Sequence, residues 1–397
     1  MGQTPLNTTK REYFASLDGF RGVLALMVAI HHSQWYSYMN YGSFINKGFV
    51  LIDLFFVFSG FLMFRLYSQN METSAQAGRF IKRRFARLYP IHLFMLLVFT
   101  AFALARLLAH KMGLAETSPG EILPFEAGSA ETIGTFISQL GLTHAMGLHD
   151  SLSFNWPSWT ISVEFYTYFT FCALLLWGRP KAAWHFGLMA GLIGLIYWGL
   201  SQTASEMDIT YDFGFWRCMG GFYTGVLGAW LYIKLKSGDR ADALFKGARA
   251  HVLEIFTLAA YFLFTAFCLG KLQFFVAPFA LLFVLVFAFD RGFISRFMAR
   301  SVFAYLAKIS YSVYMVHAFI AVIFNMFASA IFTRLWGEEW DHIGIWGDLY
   351  LIPYLVVVVC VSHLTWKFIE IPGGKLLRNL DLSGWKKNGT AKAVSDK

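Results

Sequence analysis

Charged residues are scarce in this sequence. Only 14% of its 397 residues are Asp, Glu, Lys or Arg, while 57% are hydrophobic, and a soluble domain carries about a quarter charged residues. The scarcity excludes an ordinary soluble protein, because most of this surface must face something other than water. Cysteines number only four, all within apolar stretches and without metal-ligand spacing. We expect them to be packing residues and predict no metal site.

Long hydrophobic runs are what the sequence has instead. A run of ~20 apolar residues crosses the ~30 Å hydrocarbon core of a bilayer as a helix. We therefore predict an all-α polytopic membrane protein with about ten transmembrane helices. The first run lacks a small-residue cleavage site and is too long for a signal peptide. The predicted spans are 17–39, 48–68, 90–110, 160–178, 184–202, 214–233, 252–269, 272–289, 309–333 and 348–366.

The net charge of +9 has a topological explanation. If the N-terminus is cytoplasmic, nearly all Lys and Arg outside the spans fall in cytoplasmic segments, which is the positive-inside pattern. Only Lys47, Lys111, Lys271 and Arg334 would lie outside. Nucleic acid is therefore not an expected partner, whereas membrane lipid is. We expect both termini in the cytoplasm, residues 1–372 as the membrane domain and 373–397 as a basic tail.

Ionisable residues inside the first predicted span are candidate functional groups, because an unpaired charge in a bilayer costs several kcal/mol. Asp18 and Arg21 are three residues apart and can pair on one helix face. Arg21 and His32 are eleven apart, which puts them on the same face at depths about 16 Å apart. This spacing would let Arg21 bind an anionic group near the cytoplasmic end of the span, while the imidazole of His32 lies in its outer half. A structural ion pair with an interfacial histidine would give the same pattern.

A second basic cluster, with Arg83, Arg84 and Arg87, stands before the predicted span opened by Pro90. Juxtamembrane arginines commonly set topology or contact anionic lipid. Paired arginines also bind phosphates through bidentate hydrogen bonds. A cytoplasmic ligand rich in phosphate, such as a nucleotide or coenzyme A, would fit this cluster.

A polar and aromatic segment opens the fourth predicted span on its outward side. Glu164 is expected one turn into the span, at a depth similar to that of His32, so a catalytic pair of base and carboxylate across two helices is feasible. Aromatic rings beside a carboxylate are typical of sugar sites, although interfacial Trp residues also form membrane belts. We expect a pocket around Glu164 that includes Trp159, Ser162, Tyr166 and, from a later span, Arg217.

Further along, Ser310, Tyr314 and His317 follow helical spacing. Polar groups on one face of a membrane helix usually join it to its neighbours, and we favour that interpretation here.

Four motifs stand in order along the chain. They are Leu17-Asp18-Gly19-Phe20-Arg21-Gly22 with His32, Phe55-Phe56-Val57-Phe58-Ser59-Gly60-Phe61, Arg83-Arg84-Phe85-Ala86-Arg87-Leu88-Tyr89-Pro90 and Trp159-Thr160-Ile161-Ser162-Val163-Glu164-Phe165-Tyr166. Together they resemble the bacterial acyltransferase-3 family of membrane O-acyltransferases, in which the motifs occur in the same order, and the likeness covers about residues 11–378.

This resemblance implies transfer of an acyl group from cytoplasmic acyl-CoA to a carbohydrate hydroxyl outside the bacterial inner membrane. The donor would be acetyl-CoA or, in some members, succinyl-CoA. Arg21 and His32 match the arginine and catalytic histidine of the family, and Arg84 and Arg87 match its paired arginines. The chain looks like the stand-alone type, without a hydrolase domain. A transporter or flippase for a lipid-linked sugar is the alternative, and the sequence does not indicate an oligomeric state.

Overall fold

A computed structural model describes residues 12–33, 35–42, 44–115, 122–237, 243–336 and 344–380. Within these ranges all regular structure is helical, which confirms the all-α prediction. The α-helices are α1 (Ala15–His31), α2 (Tyr38–Tyr41), α3 (Leu51–Tyr67), α4 (Ser74–Lys111), α5 (Ile133–Leu140), α6 (Trp159–Ala173), α7 (Ala183–Thr203), α8 (Gly214–Lys236), α9 (Ala248–Phe267), α10 (Val276–Ala288), α11 (Phe293–Met298), α12 (Ser301–Trp336), α13 (Gly344–Thr365) and α14 (Ile371–Asn379).

Eight helical stretches of the described chain are long and apolar enough to cross a membrane. They correspond to all the predicted spans except those of α1 and α8. Helix α1 has only 17 residues, and α8 carries Arg217 inside and lysines at its end. Both helices lie within the bundle, α1 mainly against α12 and α8 mainly against α3. Because protein covers so much of them, they need less apolar surface than a helix that faces lipid.

Glycines bring the central helices into backbone contact. A Cβ on Gly60 of α3 would lie 1.8 Å from the carbonyl oxygen of Phe222, and one on Gly225 of α8 would lie 2.0 Å from that of Val57. In α1, a Cβ on Gly22 would lie 2.7 Å from the Cβ of Leu306. Only residues without a side chain permit such approaches. These contacts fix α1 and α3, which carry two of the sequence motifs.

Helix α4 joins the basic cluster to a membrane span in one element. Thr73 starts it through a capping box with Gln76, and its 38 residues extend about 57 Å, well beyond the ~30 Å of hydrocarbon. Pro90 lies inside this helix and not at its start, which corrects the expected boundary at 90. The arginines before Pro90 are therefore held rigidly on the same helix as the span that follows.

The long connection between α4 and α6 lies on the side that the positive-inside pattern predicts to be outside, and we call it the outward connection. Buried polar groups join it to the helices. It contains α5, which begins after its N-cap Thr132. Ser158 Oγ lies 3.1 Å from His144 Nε2, and His92 Nε2 lies 2.9 Å from the carbonyl oxygen of Gln139. Burial, together with the neighbouring His92, lowers the pKa of His144 to about 3. His144 is therefore neutral at physiological pH.

Candidate active site

A cavity of about 260 Å³ runs along the centre of the bundle, between α1, α3, α4, α6 and α12. Its wall on α3 is one helical stripe, which starts at Ile52 and ends at Leu66. Fourteen residues of α-helix rise about 21 Å, so the cavity covers much of the hydrocarbon thickness. Most of this stripe is apolar, and Ser59 is its polar member.

Three arginines line one end of this cavity. Arg21 of α1 is joined there by Arg84 and Arg87 of α4, on the side of the bundle where α1 and α4 begin. Arg21 Nη1 contacts Asp18 Oδ1 at 3.2 Å, so the predicted ion pair is present. Arg84 stacks over the ring of Phe80 at 5.6 Å, and its buried Nε has no hydrogen-bond partner among the described residues. We call Arg21, Arg84 and Arg87 the arginine floor.

Besides Asp18, the carboxylate of Glu370, just before α14, lies near the arginine floor. Glu370 accepts a hydrogen bond from Ser312 Oγ at 2.9 Å and is close enough to Arg87 and Arg21 to act on both electrostatically. It does not form an ion pair with Arg84. The guanidinium groups of the arginine floor therefore keep hydrogen-bond donors that a ligand can use. Arg83, in contrast, is exposed and donates to the carbonyl oxygen of Arg79 at 3.2 Å, outside the cavity lining.

Glu164 lines the middle of the cavity. Its carboxylate accepts a hydrogen bond from the Tyr168 hydroxyl at 2.7 Å, and Tyr168 also lies 3.4 Å from Ser59 Oγ. Among the described residues the hydrogen bonds of Glu164 do not include His32, although the sequence suggested that the two could pair. Tyr168 of the same helix thus holds Glu164 in place, and the carboxylate can still accept hydrogen bonds from a ligand in the cavity.

Tyr314 closes the cavity at the end away from the arginines. Its hydroxyl donates to the carbonyl oxygen of Pro157 at 2.8 Å and accepts from Thr160 Oγ1 at 3.1 Å. On its other side, the Tyr314 ring lies 5.7 Å from the ring of His317. A single aromatic side chain therefore separates the cavity from a histidine pair.

The histidine pair consists of His32, at the end of α1, and His317 of α12. His32 Nδ1 lies 2.8 Å from His317 Nε2, and the two rings meet edge to edge, with planes inclined by only 12° and centroids 5.0 Å apart. His317 is fully buried, whereas His32 is partly exposed. His31 lies beside the pair, with its ring 5.0 Å from that of His32, and its Nδ1 lies 2.8 Å from the carbonyl oxygen of Ile45.

Three of the residues predicted for the carbohydrate pocket make structural contacts within the protein. Trp159 is buried against Gly214. Ser162 Oγ donates to the carbonyl oxygen of Leu142 at 2.6 Å, and Tyr166 donates to that of Gly141 at 3.0 Å. Ser162 and Tyr166 therefore anchor the outward connection, and none of the three is in the lining of the cavity that contains Glu164.

Arg217, the fourth predicted pocket residue, forms a buried pair with Asp53 in place of the expected contact with Glu164. Its Nη2 lies 2.8 Å from Asp53 Oδ2 and both side chains are fully buried. Arg217 also donates to the carbonyl oxygens of Ile209 and Phe49 and lies over the Trp159 ring at 5.4 Å. Its hydrogen-bonding capacity is used within the protein.

Sequence reasoning missed the cavity wall on α3, together with Tyr168, Tyr314 and His317. The single Ser59 within an apolar stripe of period 3.6 was the available signal for the wall. Ser310, Tyr314 and His317 showed helical spacing, yet we interpreted them as contacts between helices. Ser310 and Tyr314 line the cavity, and His317 contacts His32.

A second cavity, of about 450 Å³, lies beneath the outward connection. It is formed by α4, α12 and the residues around α5, and Trp156 and Glu131 are part of its wall. Trp156 immediately precedes Pro157, whose carbonyl oxygen binds the Tyr314 hydroxyl. The two cavities thus approach each other at the Tyr314 end. In the described part of the chain, no three His, Cys, Asp or Glu side chains are grouped as a metal site.

Comparison with known proteins adds independent information. A family model described as an acyltransferase domain matches residues 14–367, which is nearly the whole chain and includes the cavity and both histidines of the pair. No solved structure matches the chain.

Among curated proteins the similarities are local. "Protein 2 in picA locus" of Rhizobium radiobacter is 36% identical over 92 residues, which are 23% of this chain and 46% of that protein. "Peptidoglycan O-acetyltransferase OatA" of Listeria monocytogenes is 32% identical over 95 residues, 23% of this chain and 14% of the relative. "Putative membrane-bound transacylase BcsY" of Komagataeibacter xylinus is 34% identical over 85 residues, 21% of this chain and 19% of the relative. The matched segments thus span less than half of each relative.

Proposed function

Since this chain belongs to the acyltransferase-3 family and is a multi-pass membrane acyltransferase, we propose that it acylates a carbohydrate across a bacterial inner membrane. The donor is cytoplasmic acetyl-CoA, and the acceptor is a hydroxyl of an extracytoplasmic or lipid-linked glycan, such as an exopolysaccharide unit. The observation that carries this proposal is the cavity, which extends from three arginines to a tyrosine in contact with the histidine pair.

The arginine floor suits the phosphates of coenzyme A. Guanidinium groups bind phosphate through paired, charge-assisted hydrogen bonds, and the buried Nε of Arg84 lacks a protein partner. Asp18 holds Arg21 at the cavity. Above the floor, the narrow apolar wall on α3 suits the extended pantetheine arm. We expected Arg83 to bind the donor phosphates as well, and its exposed position leaves it a role at the cytoplasmic entrance.

His32 acts as the general base in this proposal. The acceptor hydroxyl oxygen attacks the thioester carbonyl carbon while its proton passes to His32. The tetrahedral intermediate collapses, the carbon–sulfur bond breaks, and the coenzyme A thiolate takes the proton from His32. The products are an ester and free coenzyme A, and the imidazole returns to its starting state. Tyr314 must move aside for donor and base to meet.

Glu164 favours acetyl over succinyl as the transferred group. It is the carboxylate that lines the cavity between the arginine floor and Tyr314. A succinyl group would carry a second carboxylate past it, and two like charges in a medium of low dielectric constant repel each other strongly. A neutral acetyl group passes without that penalty, and Glu164 can accept a hydrogen bond from the pantetheine amide or the sugar.

The cavity beneath the outward connection suits a saccharide unit of the acceptor. Trp156 supplies an aromatic surface and Glu131 a carboxylate, a combination that binds sugar rings. This cavity replaces the pocket that we expected around Trp159, Ser162, Tyr166 and Arg217. One relative is named a peptidoglycan O-acetyltransferase, which agrees with a glycan as the acceptor class.

The test uses cells that carry the gene or its deletion and are supplied with radiolabelled acetate, which they convert into acetyl-CoA. We expect label in the envelope glycan fraction that mild alkali releases, as an ester requires. His32→Gln should abolish it, whereas His31→Gln should retain it because His31 binds only a backbone carbonyl. Purified protein in nanodiscs should bind acetyl-CoA in both variants.

Two results would overturn the proposal. Equal ester label in wild type and in folded His32→Gln protein would remove His32 from the reaction. Failure of the folded wild-type protein to bind acetyl-CoA, together with movement of a lipid-linked sugar across proteoliposomes, would favour a transporter.

A further inference from the structure

His317 is buried next to His32, and both of its ring nitrogens are occupied. Nδ1 lies 3.1 Å from the carbonyl oxygen of Val313, one turn back on α12. Nε2 lies 2.8 Å from His32 Nδ1. Because the side chain is fully buried and has no free nitrogen, His317 cannot itself take a proton from a substrate.

The direction of these two hydrogen bonds is determined by the carbonyl group. A carbonyl oxygen can only accept, so His317 Nδ1 must carry the proton and donate it to Val313. Neutral imidazole has one N–H, which leaves His317 Nε2 as an acceptor. His32 Nδ1 must then carry the proton that this acceptor receives. A doubly protonated His317 would place a charge in a fully buried position, at high cost.

It follows that His32 has its remaining lone pair on Nε2. We infer that His317 is a positioning residue, which holds His32 in the one tautomer and orientation whose Nε2 can accept a proton from the acceptor hydroxyl. This inference rests on the proposed function, since it assigns a partner to the base of that reaction. The usual partner of a catalytic histidine is a carboxylate, and here a second histidine takes that place.

The surrounding helices hold the pair in register. The Tyr354 hydroxyl of α13 lies 3.1 Å from the carbonyl oxygen of Ala29 and 3.3 Å from that of His317, so it joins α1 to α12 at the level of the pair. The other titratable groups that face the pair are His31 of α1, with a ring 5.0 Å from that of His32, and Tyr314 of α12. The geometry of the pair is thus set by three helices.

The test compares two replacements of His317 of similar size. Gln places a carbonyl oxygen near the former Nε2 and can still accept from His32 Nδ1, whereas Leu fills the space without an acceptor. We expect His317→Leu to lower kcat about 100- to 1000-fold, with the KM for acetyl-CoA changed by less than about threefold. His317→Gln should recover kcat to within about fivefold of wild type.

A purely structural role predicts a different pattern. If His317 only filled space, the Leu variant would keep its kcat or the two variants would lose it equally, and either outcome in folded protein would overturn the inference. Wild-type transfer of label from acetyl-CoA is measured alongside. If wild type fails to transfer, the proposed function is wrong; if it transfers and the Leu variant matches it, only the role of His317 is wrong.

Discussion

Two groups of buried charge in this bundle contain the same residue types and differ in how they are satisfied. Asp53 and Arg217 lie fully buried, with all three guanidinium nitrogens and both carboxylate oxygens bonded to protein atoms. The arginine floor lies beside Asp18 and Glu370 and shares its cavity with Glu164, yet the buried Nε of Arg84 has no hydrogen-bond partner among the described residues. Since an unpaired charge in a membrane is costly, the first arrangement explains stability, and the second makes sense if a ligand completes it.

Breaking the buried pair of Asp53 and Arg217 should lower the stability of the protein more than any of the other changes below. Removing one partner of a buried ion pair costs about 3–5 kcal/mol, while replacing both by apolar residues is often nearly neutral. We therefore expect Asp53→Leu alone, or Arg217→Met alone, to lower the Tm in detergent by about 5–15 °C. The double variant should recover most of that loss. A double variant as unstable as either single variant would contradict the assignment of this pair to the fold.

The arginine floor should respond in the opposite way. Arg84→Ala removes a charge-assisted hydrogen bond worth about 1.5–3 kcal/mol, so we expect acetyl-CoA to bind about 10- to 100-fold more weakly. The Tm of the unliganded protein should stay the same or rise. Arg83→Ala, the exposed neighbour outside the cavity, is the matched control and should bind nearly as wild type. Equal losses in both variants would mean that general basic charge, and not the cavity, attracts the donor.

The buried His144 under the outward connection should make the fold sensitive to acid. The pKa of His144 in the folded protein is about 3, below the ordinary value of about 6.5, so its unfolded form binds more protons between these values. Stability from the neutral state is therefore fully present above pH 6.5 and is lost as the pH falls. By pH 5 the loss should be about 2 kcal/mol. We expect the Tm of wild type to fall between pH 7.5 and 5.0 more steeply than that of His144→Gln, and parallel curves would contradict this.

A partly exposed cluster at the ends of α3 and α8 should matter least. Glu12 contacts Arg65 and Lys236 and accepts from the Tyr232 hydroxyl at 2.6 Å. Burial raises the pKa of Glu12, but the hydrogen bonds from Lys236, Tyr232 and Arg65 outweigh it and leave the pKa below the ordinary value. Glu12→Gln should therefore lower the Tm by only about 1–2 °C at pH 7, and this difference should shrink only as the pH falls below the ordinary carboxyl value toward the lowered pKa of Glu12. A loss as large as that of Asp53→Leu would contradict the ranking.

Local signals in the sequence were enough for the helices and for most of the arginine floor. Hydrophobic runs predicted the spans. The spacing of charged residues singled out Arg21, Arg84 and Arg87, which the structure brings to one cavity, and Asp18, which pairs with Arg21. All of these are short-range patterns within a single helix, where periodicity determines which side chains share a face.

Partners between distant helices could not be predicted in this way. The sequence offered Glu164 for both His32 and Arg217, because all three were expected at similar depth. The depth of a residue in the membrane does not specify how its helix is rotated about its axis. In the structure Arg217 faces Asp53, and His32 faces His317, which is 285 residues away in the sequence. Only the packing of α1 on α12 and of α3 on α8 decides these pairs.

The most direct test of the central claim is a cryo-electron microscopy structure of the protein in nanodiscs with a non-hydrolysable acetyl-CoA analogue. We expect the phosphates at Arg84 and Arg87, the pantetheine arm along the α3 wall, and the acyl end at a displaced Tyr314 next to His32. An analogue bound elsewhere, or bound in this cavity with its acyl end at the arginines and its phosphates away from them, would contradict the account.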